Sequence, residues 1–252
     1  MSQLTMTSSN PALSGGAFSQ YDQVYGAPRS TTMTVMGTVG KTFGMLGILC
    51  LTGMFSWDAA AKGSLPTFAL PASAIAGFII AMITIFKPMA SPFTAPLYAA
   101  VEGVFLGAIS QFFERKYPGI ATQATAMTVG VTASMLLVYA TGIVKVTNQL
   151  ATGIAAATGG IALVYMIAII AQMFGAQVSF INSPSPLGIA FSVFVVGLAA
   201  FNLLLDFEVI RKGAEQGAPK WMEWYGAFGL MVTLVWLYLE ILRLLSKLQR
   251  RD

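Results

Sequence analysis

The chain contains no histidine and one cysteine, and only 10% of its 252 residues are charged. Without histidine there is no His-ligated metal or haem, and no Ser–His or Cys–His catalysis. A single cysteine, Cys50, excludes an intramolecular disulfide and leaves the redox compartment open. Soluble domains carry about 25% charged residues. At 10% charged and 56% hydrophobic, this chain is an integral membrane protein. The net charge of +4 is small. On a lipid-facing protein it points to anionic headgroups rather than nucleic acid. The start also lacks the basic-then-apolar pattern of a secretory signal, so no cleaved leader is expected within these residues. Residues 1–33 are polar, with only Asp22 and Arg29 charged, and they read as a disordered tail.

What is abundant is apolar length. A spanning helix needs about 20 apolar residues. Candidate spans fall at about 36–57, 68–86, 96–113, 122–144, 150–174, 186–210 and 226–247. The expected fold class is therefore all-α, with seven transmembrane helices in a domain over 34–252 and no room for a soluble domain between them. The basic residues barely discriminate between the two faces, and the favoured orientation puts the N-terminus inside. Glycine-rich runs such as "VGKTFGMLG" and "GIAAATGGIA" read as helix-packing seams. Pro184, Pro186 and Pro219 mark helix starts, and Pro71 is a candidate kink in the second span.

Acids inside apolar spans are expensive and usually functional. There are four: Glu102, Asp206, Glu208 and Glu240. Glu208 is close to Arg211 and Lys212 and reads as interfacial. Asp206 lies deeper, in "LLLDFEVIRKG", with Asn202 one turn earlier on the same face. The bland reading makes Asp206 an interfacial cap near Arg211. Glu240, in "LYLEILRLL", has Arg243 three residues on, and its bland reading is a local Glu–Arg pair. Glu102 is central in its span with no basic neighbour within a turn, and Lys41 and Lys87 are its candidate charge partners.

These residues resemble a known family. "LLLDFEVIRKG" is similar to the penultimate-helix motif of the Bax inhibitor family, and "LYLEILRLLSKL" to its last helix. "YAAVEGVFLGAIS" fits the bacterial branch, and the resemblance covers residues 36–250. It implies seven helices with the last one central and wrapped by the other six. It also implies that the acids of the last two helices, Asp206 and Glu240 by motif, form a pH-sensitive pair beside a calcium-conducting path. Here the last-helix acid is Glu where the family usually has Asp, and the connection "AEQGAPKWMEWYGAFG" looks expanded.

Physical chemistry fits that implication. Two carboxylates in a low-dielectric site tend to share one proton, and their titration belongs to the pair. Protonated, the pair holds two helices together; doubly ionised, it repels and accepts a cation. Ca²⁺ takes six to eight oxygens, so two side chains make a weak transit site rather than a store. The expected function is a pH-sensitive calcium leak channel or Ca²⁺/H⁺ exchanger in a bacterial inner membrane. Asp206, Glu240, Glu102 and Asn202 would line the path, and a direct or water-bridged Asp206–Glu240 hydrogen bond is expected. Partners are the bilayer, Ca²⁺ and protons, with no tightly bound cofactor. The alternative is a non-transporting regulator that binds other membrane proteins, such as proteases or stress and cell-death factors. An intramembrane aspartyl protease is disfavoured because its Gly-x-Gly-Asp setting is absent. A retinal protein is disfavoured because the last span has no lysine before Lys247.

Overall fold

The computed structural model describes residues 32–175, 181 and 183–250. Among these are seven helices long and apolar enough to cross a membrane. They are α1 (Val35–Ala61), α2 (Ala69–Phe86), α3 (Ser91–Lys116), α4 (Ile120–Ala140), α5 (Asn148–Met173), α6 (Pro186–Glu215) and α7 (Met222–Gln249). A single 3₁₀ turn, Pro88–Ala90, joins α2 to α3. The expected tail lies outside the described residues except for Thr32 and Met33, and these two belong to the folded domain, since Met33 is buried.

Local chemistry sets the helix ends. Thr34 caps α1, accepting from the Gly37 N–H at 2.9 Å; Thr147 and Ser185 cap α5 and α6 in the same way. Pro186 occupies the first turn of α6, where a missing N–H costs nothing. Pro71 is also in a first turn, because α2 begins at Ala69, so it does not kink that helix; the proline inside a helix is Pro96 in α3. Gly217 turns α6 into α7 with φ +70°, a conformation that disfavours a side chain. The connection is short, spanning only 216–221, because half of the stretch that looked expanded is the first turns of α7 and its first two residues end α6.

The last helix is central. Its buried residues include Tyr225, Phe228, Met231, Leu237 and Ile241, and they form the core with residues of α1, α3, α4 and α6. Those four helices pack directly against α7. The second helix packs on α3, and α5 packs on α6. The outer faces expose Phe43, Phe55, Phe78, Phe93, Ile167 and Phe194, as a lipid-facing surface requires.

The backbones of α1 and α3 come close together at glycines. A Cβ on Gly107 would overlap the Gly53 carbonyl, and one on Gly103 would overlap Thr52 Oγ1 and the Leu49 carbonyl. Ser56 Oγ donates to the Val104 carbonyl across the same seam at 2.8 Å. In the two runs expected to be seams, the glycines are not at the contact; Met45 of the first and Ile154 and Ile161 of the second are what packs inward. A Cβ on Gly40, Gly44, Gly47, Gly153, Gly159 or Gly160 would meet nothing within 4 Å. Glycine allows close approach but does not cause it, and these six have no helix opposite.

Candidate functional site

Asp206 is completely buried on the α7-facing side of α6. Thr233 Oγ1, on α7, donates to its Oδ2 at 2.6 Å. One turn earlier, Asn202 Nδ2 donates to Thr158 Oγ1 on α5 and to the Leu198 carbonyl, both at 2.9 Å. The inward polar stripe therefore ties α6 to two different neighbours. Arg211 is not the partner of Asp206. It pairs with Glu208 at 2.9 Å and Glu215 at 2.5 Å and donates to Tyr139 Oη. Lys212 and Tyr139 also hold the Glu208 carboxylate, so Glu208 has the local basic partners the sequence suggested.

Glu240 is buried in a different constellation. Arg243 Nη1 reaches both carboxylate oxygens, at 2.9 and 3.1 Å. The Tyr165 hydroxyl, from α5, is 2.9 and 3.0 Å from the same two oxygens, and Trp236 Nε1 donates at 3.3 Å. Arg243 also donates to Tyr165 Oη at 2.6 Å and stacks over that ring at 4.8 Å. Among the described residues, the hydrogen-bond partners of Glu240 are on α5 and α7, so the expected direct bond with Asp206 is not formed. The reason is register. Thr233, not Glu240, lies opposite Asp206, and Glu240 follows Thr233 by seven residues, about 10.5 Å along the helix. The local Glu–Arg pair wins because a cation one turn away neutralises the acid without moving a helix.

Glu102 is buried where α3 meets α2. The space beside its carboxyl is left by Gly77, at which a Cβ would approach Glu102 Oε1 to 2.5 Å. Neither candidate lysine reaches it. Lys41 pairs with Glu223 at the start of α7, and Lys87 is exposed at the end of α2 with no ion pair among the described residues. The remaining intramembrane cation, Lys247, is buried and donates to the Gly188 carbonyl at 2.8 Å and Ser192 Oγ at 2.6 Å, fastening the end of α7 to the start of α6. No group of three or more Asp, Glu or Cys among the described residues could jointly hold a metal ion.

Sequence reasoning missed Thr233, Tyr165, Glu223, Lys247 and Ser192. Two left a signal: Thr233 precedes Glu240 by two turns on one face, and Glu223 follows Lys220 by one turn. Tyr165 had none, since its role depends on α5 lying across α7. Thr233→Val is expected to destabilise the protein by about 1–3 kcal/mol, because it strips a hydrogen bond from a buried carboxyl. Thr233→Ser should retain most of the stability. Thermal melting of the purified variants checks this, and equal melting of Val and Ser variants would refute it.

Seven apolar helices, the seventh of them central, with a buried acid on each of the last two, define a polytopic helical membrane protein. The family model described as Bax inhibitor 1 like matches residues 10–250, and the chain belongs to that family. No curated protein and no solved structure gives a significant match.

Proposed function

We propose that the protein is a pH-sensitive, calcium-permeable path of the Bax inhibitor type, in a bacterial inner membrane. The observation that carries this reading is Asp206, fully buried in an apolar span and hydrogen-bonded across the α6–α7 seam to Thr233. A protonated Asp206 keeps that seam dry and closed at little cost. An ionised Asp206 is expensive in an apolar bundle unless water or a cation joins it. Proton loss at one carboxyl therefore favours opening, and the same charge then attracts the permeant cation.

Towards the end of α7, oxygen-bearing side chains continue along α5, α6 and α7: Asn202, Thr158, Tyr165 and Glu240. They offer a permeating cation successive partial coordination, which suits transit rather than storage. Glu240 forms the far station, and its Arg243 and Tyr165 partners must give way for a cation to use it. The two acids thus act in series rather than as one shared-proton pair.

The test is Ca²⁺ entry into dye-loaded liposomes between about pH 5 and 8, the window in which buried carboxyls commonly titrate. Wild-type flux should vary across the window. Asp206→Asn should flatten the profile, because an amide cannot change charge, whereas Glu240→Gln should change the flux level more than the profile. A pH profile that survives Asp206→Asn rejects Asp206 as the sensor. Flux absent at every pH rejects transport and leaves the regulator of other membrane proteins as the reading.

A further inference from the structure

Residues 32–34 form a strap that lies along the α6–α7 turn before α1 begins. The Met33 N–H donates to the Ala218 carbonyl at 2.6 Å, and Thr32 forms an antiparallel bridge with Pro219. The Met33 side chain points into the protein and is 2% exposed. Its terminal methyl closes on Gly226 of α7. A Cβ there would lie 3.5 Å from Met33 Cε and 3.2 Å from both Ile210 Cγ1 of α6 and Thr38 Cγ2 of α1.

This position is on the seam that holds the buried acid. Ile210 is one turn beyond Asp206 on the same face of α6, about 6 Å along the axis. Gly226 is two turns before Thr233 on the same face of α7. Met33 therefore fills the α6–α7 seam between Asp206 and the membrane face at which α1 begins.

A second cluster pins the strap. The backbone N–H and the hydroxyl of Thr34 both donate to Glu223 Oε1, at 2.9 and 2.8 Å. Lys220 pairs with the same oxygen at 2.9 Å, and Lys41 of α1 pairs with Oε2. The Glu223 side chain is fully buried, and it fits only because Gly37 leaves its space open; a Cβ there would overlap the carboxylate. One carboxylate thus joins the strap, α1, the α6–α7 turn and the foot of the central helix.

We propose that the strap is a built-in plug on the route to Asp206, with Met33 as the stopper and Glu223 as the latch. Withdrawing the strap admits water to the carboxyl from that face without separating the helices. Its meaning as regulation rests on the ion-path reading, but the plug itself can be tested without flux. The full-length protein, reconstituted in liposomes, is treated with a water-soluble carbodiimide and glycine ethyl ester. Modification of Asp206 is followed by peptide mass spectrometry, with exposed Asp58 as the internal reference.

Met33→Ala, which removes the stopper, and Glu223→Gln, which weakens the latch, should each speed Asp206 modification by about tenfold or more, as local opening becomes easier. Asp58 modification should stay unchanged. Thermal melting confirms that each variant is folded, and Gly37→Ala supplies a second latch-breaking variant if one is not. Asp206 modification that stays at the wild-type rate in folded stopper and latch variants overturns the proposal. Absent wild-type calcium flux with accelerated labelling would sink the ion path and leave the plug standing.

Discussion

Arg243→Ala is expected to cost about 3 kcal/mol of stability, because it leaves a buried carboxylate without its cation. The two partners are not equivalent. The Glu240 side chain is 2% exposed, whereas that of Arg243 is 34% exposed. Removing the arginine strands a charge on a buried side chain. Removing the acid strands a charge whose long side chain can turn outwards. Glu240→Gln should therefore be clearly milder than Arg243→Ala. The double variant should recover most of the loss, since Tyr165 and Trp236 can still hydrogen-bond a neutral amide. Lys247 cannot take over, being held by Gly188 and Ser192. Thermal melting of the four proteins forms a double-mutant cycle. Equal destabilisation by the two single substitutions, or no recovery in the double, would show that the pair does not neutralise a trapped charge.

Gly107→Leu should be at least as damaging, by about 3 kcal/mol or more, through overpacking against backbone. A side chain at this position meets the Gly53 carbonyl, which cannot rotate away as a flexible side chain could. The contact joins α1 to α3, and α1 carries Lys41 of the Glu223 cluster and is capped by Thr34. Loosening the seam should therefore also disturb the foot of α7. Gly160→Leu is the matched control. It changes the same residue types in an apolar helix, but the added side chain meets open space, and leucine favours helix over glycine. It should melt at or slightly above the wild-type temperature. Similar melting of the two variants would mean that the α1–α3 seam tolerates expansion.

The contrast between these glycines shows where sequence reading stops. Gly160 belongs to a run rich in small residues and looked like a packing motif; Gly107 did not stand out. In water, a helix declares its buried face by alternating apolar and polar residues. In lipid both faces are apolar, so the pattern that would mark the protein-facing side is erased. The same erasure hid Tyr165, whose importance comes only from the helix it faces.

By itself, the sequence determined the class of protein, the seven spans to within a few residues, the helix start at Pro186, and the acids in apolar surroundings. Those follow from local composition, because burying an acid or ending a helix carries a cost the nearby chain must reflect. It also carried the Glu240–Arg243 pair, whose partners are a turn apart on one helix. Only the tertiary structure decided that Asp206 meets Thr233 and not Glu240, that Lys41 serves Glu223 and not Glu102, and that Met33 fills the seam outside Asp206. Each of these depends on the axial register of helices distant in sequence. A shift of two turns, about 10.5 Å, would bring Glu240 opposite Asp206 while leaving every local pattern in the chain unchanged.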